Sequence, residues 1–324
     1  SALLGPGFPA EALINAGSGS LTPSFALQDA AGIHIKPAGS AFIGIDNNNL
    51  RNQRSIHLWN SVGQRVGYGA IPPVPAKATE VLVVGGSVFV SMINGTEPSR
   101  IYKFALADIT PGAVLTPSAS YEAPAGGDLQ SMVYDGGSIF ASRSYSGGIV
   151  KLSPSDLSLQ ATYTASVGAR ALAYDPVEDV IYLINGTDGV VSVRSADSGA
   201  ALRTFNVQSA PSSAVYAEGL LYVASGVGIV YDAITGAQVR DLGVISGDAN
   251  GKSGTTPFVR IGDYVAYADP NNQQVVLLYA SSALQALTLP VADLAEVSGA
   301  AGNRLFVNTK TGGAEPLTRT YLLQ

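Results

Sequence analysis

The 324 residues contain no cysteine. That excludes disulfides, thiolate metal sites and cysteine nucleophiles, and it is compatible with an exported protein. Charge is scarce: 18 basic and 24 acidic side chains make up 13% of the chain, about half the usual share. They form no run of one sign. The net charge of −6 and a pI near 4.9 leave no basic face for a nucleic-acid backbone. Histidine occurs only at His34 and His57. Two histidines cannot build a zinc site without carboxylates, and no H-x-x-x-H spacing occurs. No apolar run reaches 18 residues, so nothing reads as a membrane-spanning segment. Low charge with a mean hydropathy of +0.23 argues for a packed chain and against disorder.

Glycine is abundant, at 37 residues, and the chain is built of repeats. Arg170–Phe205 and Ser212–Leu242 carry one pattern twice: four short apolar runs divided by turn residues. Tyr174 matches Tyr216, Tyr182 matches Tyr222, and Ser198-Gly199 matches Thr235-Gly236. Each copy reads as a four-stranded blade of a β-propeller. Second-strand anchors fall at Phe42, Phe89, Phe140, Tyr182, Tyr222, Val265 and Phe306. Their spacing of roughly forty to fifty residues is a propeller period.

The expectation is an all-β, seven-bladed β-propeller of four-stranded antiparallel blades. Residues 20–324 form a single domain, and 1–19, rich in Gly, Pro and Ala, form an N-terminal arm. Thr318–Gln324 ends the chain as a third strand, so the last blade lacks its fourth. Leu21–Leu27 is the natural donor of that strand, closing the ring. Three insertions lengthen the loops where function is sought, at Asp46–Arg54, Ala107–Ser120 and Ser246–Thr256. The IPPVP stretch at 71–75 reads as a stiff link between blades.

The form AxAYDPxxDxIYLIN…VxVxxAxSG…RTF over Ala171–Phe205 resembles the YVTN-repeat family of β-propellers. GIVYDAITG, Gly228–Gly236, is similar to quinoprotein-type repeats. The resemblance covers about 270 residues and is close over 169–244. It implies the propeller fold and a periplasmic or surface protein, and it is poor in functional content. The larger quinoprotein enzymes carry a Trp in each repeat, whereas Trp59 is the only one here, so the likeness implies no bound quinone.

Candidate chemistry is thin. His57, in the alternation SIHLWN, reads as a neutral hydrogen-bonded or surface histidine. Asp248-Ala-Asn250 and Asp46-Asn-Asn48 offer oxygens at alternate positions, as calcium loops do. The first has Lys252 at its fifth position and no closing Glu, so both read first as turns, with a hard cation such as Ca²⁺ left open at either. Asn94-Gly-Thr and Asn185-Gly-Thr have the form of glycosylation sequons, and equally of turns after a strand. No Ser-His-Asp set can be placed.

Stepping back four residues from Tyr134, Tyr174 and Tyr216 reaches Gln130, Arg170 and Ser212. The anchors of other blades lead to Thr79, Thr255 and Asp293, with Lys77 and Asp128 two residues further out. These eight are the candidate ligand-binding residues at the channel mouth, with Arg170 as the main positive charge. An internal pair between Arg170 and Asp293 or Asp128 is the structural alternative. No catalytic residue, metal or cofactor is assigned. The functional expectation is a monomeric, non-enzymatic binding or scaffolding module outside the cytoplasm, bacterial in character. Its partner would be a protein or glycan at the cell envelope. The start at Ser1, without Met, is read as a mature chain whose export signal is gone. A lactonase- or lyase-like enzyme acting at the channel and a small-ligand sensor remain open alternatives.

Overall fold

The computed structural model describes residues 21–29, 32–46, 55–71, 76–94, 98–124, 129–143, 147–164, 168–245, 257–310 and 317–324. The arm at 1–19 and most of two insertions (47–54 and 246–256) lie outside them. The described chain opens with β1 (Leu21–Ala26), β2 (Gly32–Ala38), β3 (Ala41–Asp46), β4 (Ser55–Trp59) and β5 (Arg65–Ala70). Then come β6 (Ala76–Val84), β7 (Ser87–Asn94), β8 (Arg100–Ala105), β9 (Pro111–Val114) and β10 (Ala119–Glu122). The middle holds β11 (Met132–Tyr134), β12 (Ile139–Ser142), β13 (Ile149–Leu152) and β14 (Leu159–Tyr163). Next are β15 (Ala169–Asp175), β16 (Val180–Asn185), β17 (Val190–Ser195) and β18 (Ala201–Asn206). They are followed by β19 (Ser213–Ala217), β20 (Leu220–Ala224), β21 (Val227–Asp232) and β22 (Gln238–Val244). The chain ends with β23 (Val259–Ile261), β24 (Tyr264–Asp269), β25 (Gln274–Tyr279), β26 (Gln285–Pro290), β27 (Leu294–Ala301), β28 (Arg304–Thr309) and β29 (Leu317–Leu323).

Five sheets have four strands each: β10-β8-β7-β6, β11 to β14, β15 to β18, β19 to β22 and β23 to β26. The remaining sheet has nine, in the order β1-β29-β28-β27-β2-β3-β4-β5-β9. Eight of its strands are two antiparallel four-stranded runs joined where β27 meets β2 in parallel, Ile35 opposite Gly299, and β9 is the ninth. β1 supplies the fourth strand beside β29, Leu21 opposite Leu323 and Ala26 opposite Arg319. The first strands touch in succession: β2 with β6, β6 with β11, β11 with β15, β15 with β19, β19 with β23, and β23 with β27.

The core follows from strand periodicity. Alternate side chains leave opposite faces of a sheet. From β15–β16, Leu172, Ile181 and Leu183 pack with Phe140 and Ile149 of the sheet before. Ala171, Tyr182 and Ile184 pack with Leu221 and Val223 of the sheet after. With both faces covered, β16 is buried at every position and reads as a continuous apolar run, as strands buried on two sides do. The anchor residues divide by face. Phe89, Phe140, Tyr182, Tyr222 and Phe306 point toward the following sheet. Phe42 and Val265 point back, and Ile43 and Tyr264 take the forward role there. A displacement of one residue reverses the face.

Two devices recur between sheets. A donor from one sheet reaches the carbonyls of the next sheet's outer hairpin turn. Lys103 Nζ donates to Ser155 O (2.6 Å) and Lys151 Nζ to Ala196 O (3.1 Å). Arg203 Nη2 donates to Ala233 O (3.4 Å), and Arg240 Nη1 to Ala283 O. In addition, an outer-strand aromatic lies on the turn glycine of the next sheet, Tyr163 on Gly199 and Phe205 on Gly236. A Cβ at either glycine would overlap the ring, and both have φ of +73°, so the matched Ser-Gly and Thr-Gly of the repeats serve turn and packing together.

Outer strands are exposed edges, and β5, β14, β18, β22 and β26 each carry a bulge near their start. Bulges twist an edge away from pairing with another chain. The segment expected as a link at Ala107–Ser120 holds β9, which pairs in parallel with β5, Tyr68 opposite Pro111, and covers that edge.

Candidate functional site

The first strands of the sheets begin at one common end, and the antiparallel second strands finish there. Arg170 is the bulged residue of β15, between the pairs Ala169–Asn185 and Ala171–Ile184. A bulge re-aims its side chain. The half-buried Arg170 has its aliphatic stem against Gly186, where a Cβ would meet Arg170 Cβ and Cδ at 2.7 and 2.9 Å. Its guanidinium has no ion pair or hydrogen bond among the described residues. Gln130 stands two residues before β11 and donates its N–H to Ser142 Oγ (3.3 Å). Ser212 immediately precedes β19, and both its N–H and its hydroxyl donate to Ala224 O, at 2.8 and 3.2 Å. Asp293 is exposed, with φ +57°, just before β27, and its carbonyl accepts from Lys310 N–H at 2.7 Å.

Thr79 is placed differently. It is 1% exposed at a bulge of β6. Its hydroxyl shares a 2.7 Å hydrogen bond with Ser91 and donates to Leu129 O at 3.1 Å, so its polar group is spent inside. Lys77 pairs with Ile93 in β6, its side chain lying outside the described residues together with Asp128 and Thr255. Asp248 and Asn250, with Asn48, lie outside them too. Among the described residues no group of three or more His, Asp or Glu side chains could hold a metal ion. Asn185 is 7% exposed and its Oδ1 accepts from Thr187 N–H at 2.8 Å, a turn role.

Both histidines are interior. His57 is 4% exposed and stacks between Trp59 and Tyr68, with centroids at 5.7 and 6.4 Å; the surface alternative does not hold. His34 adopts φ +52° within β2 and lies 3.0 Å from Glu80 of β6 through Nδ1. Lys36 Nζ reaches the same Glu80 oxygen at 3.1 Å. Burial opposes ionisation of Glu80, yet His34 and Lys36 outweigh it and hold its carboxyl down to about 2. No local pattern announces this cluster, because Glu80 lies 44 or more residues along the chain from Lys36 and His34.

Sequence reading also passed over two buried donors at the common end. Among the described residues, Asn185 Nδ2 and Arg143 Nε have no acceptor.

Four-stranded sheets standing side by side on their first strands define a β-propeller, and that is the architecture of this chain. A solved structure with the same build is the WD40 β-propeller domain of Doa1, at a TM-score of 0.67 and 10% sequence identity. That match covers 94% of this chain and 97% of the other. At this identity the likeness establishes the fold and carries no function. No family model matches the chain, and no curated protein matches it in sequence.

Proposed function

We propose that residues 20–324 form one monomeric, seven-bladed propeller of the YVTN-repeat kind, closed by β1. It works outside the cytoplasm as a non-enzymatic binding or scaffolding module, with a protein or glycan partner at the cell envelope. Closure is supported by the core. Seven apolar clusters each lie between two neighbouring four-stranded runs. An open row of seven blades would have one junction fewer. The seventh cluster, with Leu27, Ile35, Trp59 and Phe306, joins last to first.

The observation that carries binding over catalysis is the commitment of both histidines to packing, His34 against Glu80 and His57 between two aromatic rings. Propeller lyases and lactonases draw their acid–base chemistry from exposed groups at the channel. At the mouth, the hydroxyl, amide and guanidinium groups bind rather than react, and the exposed Asp293 is the one carboxylate among the described candidates there. The test is a pull-down from solubilised cell envelopes, beside turnover assays on lactones and uronate polysaccharides. Saturable retention of one protein or glycan without turnover is expected. Turnover that survives repurification overturns the reading in favour of an enzyme.

A further inference from the structure

We infer that the Arg170–Asn185 corner of the β15–β18 sheet binds a carboxylate. The inference rests on taking the common strand end as the ligand end. In the register, Asn185 faces Ala169 and Arg170 is the extra residue beside that pair. Asn185 is 93% buried by its 7% exposure, and its amide is oriented by the bond that Oδ1 accepts from Thr187 N–H. That orientation leaves Nδ2 with no acceptor among the described residues. A buried donor without an acceptor is costly and calls for a partner. Beside it in the register is Arg170, whose guanidinium finds no acceptor among the described residues. Its aliphatic stem lies against the backbone at Gly186. Arg143 Nε, one sheet away at the same end, is a further donor with no acceptor among the described residues. All of these lacks have one sign: donors and positive charge, wanting an acceptor with negative charge.

The guanidinium fork matches the two oxygens of a carboxylate. A single guanidinium without a carboxylate partner balances one negative charge, which suits a monoanionic carboxylate better than a dianionic phosphate. The group could belong to a uronic sugar or to an acidic amino acid. The two share this chemistry and differ in what surrounds it.

The test is an NMR titration of the full chain, following the Asn185 side-chain amide and the Arg170 Nε–H. The probes are acetate, glucuronate, N-acetylglutamate and inorganic phosphate. Saturable shifts of both signals by acetate are expected, with phosphate weaker. Whichever of glucuronate and N-acetylglutamate binds at least tenfold tighter than acetate identifies the source. Arg170→Gln should abolish the shift of the Asn185 amide. Arg170→Lys, which keeps the charge and loses the fork, should weaken it severalfold. A melting temperature within 2 °C of the parent shows that either variant is folded. Silence of the Asn185 amide up to 100 mM of every carboxylate overturns the inference, as does an undiminished shift in Arg170→Gln. Retention of an envelope partner by a chain that ignores all four probes would sink the carboxylate site and leave the proposed binding function standing.

Discussion

The ring of Phe25, in β1, lies on the backbone of Gly63, in the turn between β4 and β5. A Cβ at Gly63 would overlap the ring, and Gly63 has φ +83°. Tyr163 on Gly199 and Phe205 on Gly236 are the same arrangement between consecutive sheets. The N-terminal strand therefore meets β4–β5 as an ordinary outer strand meets its neighbour. Gln28 N–H donates to Gly63 O at 2.9 Å, and Trp59 Nε1 donates to Gln28 O at 3.0 Å.

Gly63→Ala should destabilise the fold by about 2–3 kcal/mol, combining left-handed backbone strain with the clash against Phe25. Gly39→Ala is the control: φ is +63° but nothing lies within 4 Å of the added carbon. It should cost about 1 kcal/mol. Urea unfolding of both variants checks the difference, and equal losses would show that Phe25 contributes nothing.

Removal of residues 1–28 should lower the melting temperature by about 5 °C or more. Leu21 and Leu27, each 1% exposed, leave the core, and β29 becomes an open edge. A chain beginning at Ser20 should melt within about 1 °C of the parent. Calorimetry of the two truncations reads this directly; an unchanged melting temperature for the longer deletion would remove β1 from the closure.

Lys151 and Tyr163 share acceptors. Lys151 Nζ donates to Ala196 O and Asp197 O at 3.1 and 3.3 Å, and Tyr163 Oη to the same two at 2.9 Å each. Lys151→Met and Tyr163→Phe should each cost about 1 kcal/mol. The double variant should depart from additivity by about 0.5 kcal/mol or more. A thermodynamic cycle in urea measures the coupling, and strict additivity would show that the donors act independently.

Acid should unfold the protein partly through Glu80. Its carboxyl, ordinarily near 4.5, is held at about 2 in the fold because the charges of His34 and Lys36 outweigh burial. A depressed folded-state pKa contributes stability that is complete above the unfolded value and is lost as pH falls from about 4.5 toward 2. The contribution is on the order of 3 kcal/mol. Glu80→Gln should be less stable than the parent at pH 7 and should lose less between pH 5 and pH 2. Parallel acid limbs for the two proteins would assign the acid sensitivity elsewhere.

The local and repetitive features of this protein are legible in the chain alone. Apolar runs of strand length, Asx turns such as Asp232 with Ile234 and Thr235, and the turn glycines are written within a few residues of one another. So is the strand character of Leu21–Leu27 and Thr318–Gln324, which overlap the paired strands β1 and β29. Tertiary structure alone decided the rest. A strand buried on both faces loses its alternation, so nothing local says that Phe42 and Val265 look backward while Phe140 and Tyr182 look forward. Nor could spacing tell that Thr79 would spend its hydroxyl on Ser91 and Leu129, or that Glu80 would gather His34 and Lys36 from another sheet. Those contacts join residues distant in the chain, and they exist only once neighbouring sheets set their faces together. For the same reason Arg170 was legible as a charge at a strand end, whereas the buried, acceptorless amide of Asn185 beside it was not.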